Sequence, residues 1–186
     1  MLFRSVGNIA VGYYTAPYKI IEALIFVPSV LNVVIFPVMS KFHVSSKEAL
    51  INSYKKTIKY LIILGLPIAV GFFLLAENII LVIYGIEFAP SILALQILIW
   101  EIPLVFLTYI FGTFLVSINK QNLSLKITFI CMIFNIVLNL LMIPSFGYLA
   151  ASFVTVITEL FAFILCFSYL SKFICKVNIG KYIIKP

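Results

Sequence analysis

Four ionisable side chains stand inside long apolar stretches of this sequence: Lys19, Glu22, Glu101 and Glu159. On insertion scales a charge at the centre of a membrane helix costs about 3 kcal/mol, so four unpaired charges would cost roughly 12 kcal/mol. Charged groups at that depth ordinarily face each other or a water-filled cavity, where they can bind an ion or hydrogen-bond a polar ligand. These residues are therefore the first candidates for a functional site.

The composition explains why the membrane is the relevant setting. Hydrophobic residues make up 64% of the 186 residues, charged residues make up 10%, and the mean hydropathy is +1.22. Soluble domains are about half apolar and about a quarter charged, so a globular protein in water is excluded. The composition predicts an all-α, multi-pass membrane protein.

Five segments are long enough to cross a hydrocarbon core about 30 Å thick, which takes about 20 apolar residues. They run over about 12–40, 57–84, 91–117, 123–143 and 147–170, and polar or Gly/Pro breaks separate them. Ser45 followed by Glu48 fits a capping box, which predicts a short surface helix from about Ser46. We predict a transmembrane helical bundle over 1–171 and a basic tail over 172–186.

The basic residues predict the orientation of this bundle. Eleven of the thirteen would lie on one side: Lys41, Lys47, Lys55, Lys56, Lys59, Lys120, Lys126, Lys172, Lys176, Lys181 and Lys185. The positive-inside rule places that side, and the C-terminus, in the cytoplasm. Juxtamembrane lysines are attracted to anionic lipids, so membrane lipids are the expected partner and the charge of +7 requires no nucleic acid.

The same topology leaves the N-terminus outside the cell, with an odd number of spans and no cleavable signal pattern. That arrangement is unusual for a complete protein, so we expect the chain to be a fragment of a longer one.

Helical periodicity groups the polar residues into a seam. On the first helix, one arc of about 80° contains Thr15, Lys19, Glu22, Ser29 and Ser40. Similar faces carry Glu101 with Thr108 on the third span, Asn135 with Asn139 on the fourth, and Ser152, Thr155 and Glu159 on the fifth. The candidates for lining a substrate cavity, or for coupling transport to an ion, are Lys19, Glu22, Ser29, Glu101, Asn135, Asn139 and Glu159.

Two alternatives need no ligand. Asn135 and Asn139 are also explained as interhelical hydrogen-bonding residues, worth about 0.6 kcal/mol each. Lys19 and Glu22 are also explained as a local i,i+3 ion pair that neutralises itself.

Other reactive residues give weaker signals. Cys131 and Cys166 lie in apolar runs and are interpreted as small core residues. The single histidine, His43, lies in a polar loop without nearby ligands, so no metal and no cofactor are predicted.

Three stretches carry further motifs. Residues 11–41, VGYYTAPYKIIEALIFVPSVLNVVIFPVMSK, have a Gly-Tyr-Tyr entry, a Lys-Ile-x-Glu core and a closing proline. Residues 84–98 read YGIEFAPSILALQIL, and residues 118–152 have a mid-helix Asn, then Ile-Pro, then an aromatic residue beside Gly. In this order the three stretches resemble a helix, an outer loop with the next helix start, and a later segment of the polysaccharide flippases of the Wzx type, in the superfamily of multidrug, oligosaccharidyl-lipid and polysaccharide exporters. Ala150 stands where that family commonly has Gly.

The resemblance implies a function and a partner. Such proteins have twelve or more helices in two bundles, and this chain would supply helices eight to twelve, most of the second bundle. It would move lipid-linked oligosaccharide between leaflets by alternating access, with Lys19 and Glu22 lining the cavity and a missing N-terminal half or a second chain completing it.

Three alternatives stay open. One is a cation-coupled drug or metabolite exporter of the same superfamily, and another is a non-transporting remnant or accessory membrane subunit. The third, an integral-membrane enzyme, is disfavoured because the loops contain no convergent acid–base or metal constellation, so no catalytic residue is predicted.

Overall fold

The computed structural model describes the backbone of residues 7–175 and the side chains of residues 9–170. This part of the chain is all-helical. The order is α1 (Asn8–Ser45), α2 (Lys47–Leu74), α3 (Ala76–Tyr84), a 3-10 turn (Ile86–Phe88), α4 (Ser91–Leu98), α5 (Glu101–Ser117) and α6 (Gln121–Cys175). By length and composition, four stretches can cross a membrane: Ile9–Ser45, Lys47–Leu74, Ser91–Ser117 and Gln121–Leu170.

The stretch Gln121–Leu170 contains two antiparallel arms. At Gly147 the backbone leaves the helical region (φ 61°, ψ −140°), and residues 121–146 and 148–175 lie on either side of this kink. Asn135 and Thr158, 23 residues apart, are joined by a 3.0 Å hydrogen bond, whereas a straight helix would hold them about 34 Å apart. The arms therefore form a hairpin, and the bundle has five membrane-crossing segments.

The join between α1 and α2 differs from its prediction. Ser46, in extended geometry, is the N-cap of α2, and its hydroxyl accepts the Ala49 N–H at 3.2 Å. Ser45, the predicted cap, instead donates to the Lys41 carbonyl at 3.0 Å. The predicted short surface helix is wrong, because the residues after Ser46 are the first turns of α2 itself.

The second predicted span, 57–84, is divided in the structure. The helix begins ten residues earlier, at Lys47, and a non-helical residue, Leu75 (φ −95°, ψ 7°), separates it from α3. The Tyr84 hydroxyl at the end of α3 donates to the Ala16 carbonyl at 2.9 Å. Gly85 then turns the chain at a positive φ of 85° that glycine adopts without strain.

Helix α5 is the centre of the bundle. In the span that contains it, 56% of the most apolar window is buried, against at most 17% in the other three spans. Its rings Phe111 and Phe114 pack against Tyr54 of α2, and Phe106 and Pro103 lie close to Gly65. The other helices consequently leave most of their apolar surface facing outward.

The two ends of the bundle differ chemically. One end, here called the aromatic end, has Tyr13 packed against Phe88 and Tyr148, with ring centroids 6.1 and 5.7 Å apart. The other, the lysine end, has the turns at Ser46 and Asn119, Lys41 near the end of α1, the lysines of α2 and those around the start of α6. Of the predicted tail, residues 172–175 belong to α6, and residues 176–186 lie outside the described residues.

Candidate functional site

A cleft of about 680 Å³ lies between α1, α5 and both arms of α6. We call it the main cleft. Its walls are mostly apolar, and the polar side chains among its lining residues are Asn32, Thr108, Tyr109, Thr113, Ser124, Thr128 and Glu159. An apolar pocket with a few convergent polar groups is the usual form of a ligand site.

Hydrogen bonds connect the helices that form the main cleft. The Thr108 hydroxyl of α5 donates to Glu159 Oε1 on the second arm of α6. The Thr113 hydroxyl, one and a half turns further along α5, donates to Asn32 Oδ1 on α1. Polar groups on three different elements therefore face one space, and Glu159 is the one carboxylate among its lining residues.

Glu101 is buried beside this system. Only 5% of the residue is exposed, and its Oε2 has no hydrogen-bond partner among the described residues. Its carboxyl group lies within electrostatic range of the Glu159 carboxyl. An isolated ionised carboxylate is costly to bury, so an unpartnered oxygen here requires an explanation such as a proton or a bound ligand.

The two predicted asparagines line a separate asparagine pocket of about 290 Å³, together with Tyr14 and Thr155. Asn135 Nδ2 donates to Thr158 Oγ1 at 3.0 Å and so connects the two arms of α6. Asn139 Nδ2 donates to Asn135 Oδ1 at 2.9 Å. Asn135 therefore connects the two arms, and both asparagines line a pocket. A ligand role for the pair stays a prediction.

Lys19 and Glu22 form a salt bridge of 2.5 Å on the outer surface of α1. Their side chains are 62% and 45% exposed, and neither lines the main cleft or the asparagine pocket. Ser29 donates to the Phe26 carbonyl of its own helix at 2.7 Å. The geometry is that of the local i,i+3 pair, and any contact with a transported ligand stays a prediction for these three residues.

Sequence reasoning missed several polar residues of the main cleft, among them Asn32 and Thr113. The signal for Asn32 was present, because an amide in the middle of an apolar helix is the same feature that identified Asn135. Thr113 gave no such signal, since threonine commonly satisfies its hydroxyl within its own helix, as Thr57 does with the Ser53 carbonyl.

Within the described residues no group of three or more His, Cys, Asp or Glu side chains could hold a metal ion. Cys131 and Cys166 are free and buried, and both line the main cleft. Cys131 belongs to the first arm of α6 and Cys166 to the second. Both are buried packing residues that also form part of the wall of the main cleft.

The chain is similar to several known proteins. The family described as "Polysaccharide biosynthesis protein" matches residues 4–93. The chain is 26% identical over 165 residues to the "Probable low-salt glycan biosynthesis flippase Agl15" of Haloferax volcanii, covering 88% of this chain and 35% of that protein. It is 27% identical over 168 residues to the "Uncharacterized membrane protein MJ1068" of Methanocaldococcus jannaschii, covering 89% of this chain and 33% of that protein.

The chain thus spans about a third of the length of these curated relatives. No solved structure matches it. The first of these relatives is named as a probable flippase, a kind of transporter. With its apolar helices and these similarities, the chain is a multi-pass membrane protein that is similar to polysaccharide biosynthesis proteins, one of which is named as a probable flippase.

Proposed function

We propose that this chain forms part of the translocation pathway of a flippase that moves lipid-linked oligosaccharide across the cell membrane by alternating access. The observation that carries the proposal is the main cleft, a mostly apolar space with several polar side chains between membrane-crossing segments, in a chain similar to a probable glycan biosynthesis flippase. Such transporters bind their substrate near the middle of the bilayer between helices that move against each other.

The lining of the main cleft suits a ligand with both hydroxyl groups and a lipid chain. Asn32, Thr128 and Glu159 supply hydrogen-bond donors and acceptors for sugar hydroxyls. Val33, Phe36 and Val116 supply apolar surface in the same space. The anionic phosphate of such a ligand would require a cation, and no lysine or arginine is among the described residues that line the main cleft, so Lys19 could meet the phosphate only outside that cleft and after its ion pair with Glu22 opened.

We further propose that the lysine end and the C-terminus are cytoplasmic. The support is the concentration of lysines at that end, which the positive-inside rule assigns to the cytoplasm. Cysteine labelling with a membrane-impermeant reagent tests this. Ser45→Cys should react only after the cells are opened, and Glu87→Cys, at the aromatic end, should react in intact cells.

The chain covers only about a third of the length of its relatives, and the transport experiment has to take this into account. We would tag the gene at its own locus and measure the mass of the product, which shows whether this chain acts alone or within a longer protein. In a strain lacking that product, lipid-linked oligosaccharide should accumulate on the inner leaflet. Re-expression of the native product should clear it, and continued clearance in the deletion strain would contradict the proposal.

A second candidate function is a cation-coupled exporter of drugs or metabolites. The observation that favours it is the buried, unpartnered oxygen of Glu101 within range of Glu159. Export that follows an imposed Na⁺ or H⁺ gradient, without any change in the leaflet distribution of lipid-linked oligosaccharide, would select it over the first. A non-transporting accessory subunit would show neither activity and would co-purify with another membrane chain.

A further inference from the structure

One face of α2 is exposed from Lys56 to Val70 and changes from basic to apolar along the helix. Lys56, Lys59, Ile63, Leu66 and Val70 follow each other at intervals of three or four, so they lie in one row. Both lysines are exposed, and the three apolar residues are 57%, 45% and 44% exposed. We call this row the α2 outer face.

The opposite face of α2 faces the bundle core. Leu61, Gly65 and Ala69 are buried there, and the rings of Tyr54 and Phe114 lie 4.7 Å apart. The α2 outer face therefore points away from α5. Within the described residues nothing covers it, and neither Lys56 nor Lys59 forms a salt bridge there.

The dimensions of the α2 outer face match one leaflet of a bilayer. From Lys59 to Val70 the helix rises about 16 Å, close to half of a hydrocarbon core about 30 Å thick. Tyr60, 67% exposed, stands beside Lys59, where an aromatic ring with a polar tip suits the headgroup boundary. The lysine stems can extend toward that boundary while their ammonium groups reach the headgroups.

The charge at the lysine end of the α2 outer face is positive. The one acidic residue of α2 is Glu48, which lies eight residues before Lys56, about 12 Å along the axis. Lys55 is adjacent and adds to the local positive charge. Because Lys55 already interacts with another group, the phosphate is assigned to Lys56 and Lys59 alone. A ligand that fits must combine a negative headgroup with an apolar chain about 16 Å long.

We infer that the α2 outer face binds an anionic phospholipid of the leaflet at the lysine end. Lys56 and Lys59 bind the phosphate, and an acyl chain lies along Ile63, Leu66 and Val70. This site is distinct from the main cleft, and the inference holds whatever the protein transports.

The experiment places a single tryptophan on this face. Trp100→Phe removes the native tryptophan and keeps an aromatic ring beside Phe73, and Ile63→Trp then reports on the lipid at the α2 outer face. The protein is reconstituted with brominated phosphatidylglycerol or brominated phosphatidylcholine in otherwise identical vesicles. We expect about twofold stronger quenching by the anionic lipid, because two lysines raise its local concentration.

Three variants control the measurement. Lys56→Gln with Lys59→Gln should abolish the preference, whereas Lys56→Arg with Lys59→Arg should keep it. Ile164→Trp, also an exposed isoleucine, lies on an arm without lysine between residues 148 and 171 and should show no preference.

Several results would overturn the inference. Equal quenching by the two lipids at position 63 would show no selectivity, and an equal preference at position 164 would show a general charge effect. Absence of quenching by either lipid would show that protein covers the face. If the tryptophan variants do not fold, native mass spectrometry replaces them: wild type should retain more phosphatidylglycerol than the double glutamine variant, and equal retention would overturn the site. Lys120→Gln with Lys126→Gln serves there as the matched control.

Discussion

The hydroxyl of Thr108 on α5 donates a hydrogen bond to the carboxyl group of Glu159 on the second arm of α6. The two residues are 51 positions apart in sequence, and their bond joins the most buried helix of the bundle to a wall of the main cleft. The bond orients one oxygen of Glu159 and restricts the carboxyl group to the cleft. It therefore couples the packing of α5 to the position of the one acidic group that a ligand in this space would meet.

Removing that hydroxyl tests whether the orientation of Glu159 matters. Thr108→Val keeps the shape of the side chain and deletes the donor, a loss of about 0.5–3 kcal/mol for a hydrogen bond to a carboxyl group. We expect about a tenfold or larger loss of oligosaccharide clearance in the deletion strain. Thr57→Val is the control, because Thr57 bonds to its own helix, lines no part of the main cleft and should leave clearance unchanged.

The expression level separates a transport defect from a folding defect. Both threonine variants should reach the membrane in wild-type amounts. Equal clearance by Thr108→Val and Thr57→Val would show that the Thr108–Glu159 bond has no role in transport.

The two asparagines of the first arm should differ in their effect on stability. Asn135→Leu removes the hydrogen bond that connects the arms, whereas Asn139→Leu removes bonds made to Asn135 within the same arm. Interhelical bonds in membranes are worth about 0.6 kcal/mol and at most about 1.7 kcal/mol. We expect a lower unfolding temperature in detergent for Asn135→Leu than for Asn139→Leu, and the reverse order would contradict this assignment.

Much of the fold follows from hydropathy, and the exceptions have local causes. The five crossing segments and the turn at Gly147 were predictable because apolar length and a Pro-Ser-Phe-Gly break report directly on membrane spans. The division at Leu75 was not, since "LLAENII" has no Gly or Pro and its break shows in the sequence only as one Glu-Asn pair. The start of α2 was misplaced because a polar stretch can be an exposed helix as readily as a loop.

The site was harder to predict than the fold. Periodicity predicted that Thr108 shares a face with Glu101 and Thr155 with Glu159, but it gave no rotation of one helix against another. That rotation decides that Glu159 lines the main cleft, that Glu101 is buried beside it and that Lys19 points outward. Which faces of two helices contact each other depends on side-chain packing, and neither hydropathy nor helical periodicity in a single sequence predicts that packing.

The hairpin of α6 should depend on the absence of a side chain at Gly147. Its φ of 61° combined with a ψ of −140° is essentially restricted to glycine, and other residues pay about 1–3 kcal/mol to adopt such conformations. Gly147→Ala should therefore lower the unfolding temperature. Gly71→Ala is the matched control: Gly71 is helical and an added Cβ meets nothing within 4 Å, so this variant should gain about 0.5–1 kcal/mol.

The salt bridge between Lys19 and Glu22 predicts a non-additive pattern of substitutions. Removing either charge alone leaves the other unpaired at membrane depth, which costs about 3 kcal/mol if that charge lies near the bilayer centre. Lys19→Met and Glu22→Met should each reduce the amount of inserted protein, and the double variant should restore it because no lone charge remains. Quantitative blotting of carbonate-washed membranes measures all three. Additive losses would show that the two residues act separately, and a restored double variant that fails to clear lipid-linked oligosaccharide would assign the pair a role in transport beyond its own neutralisation.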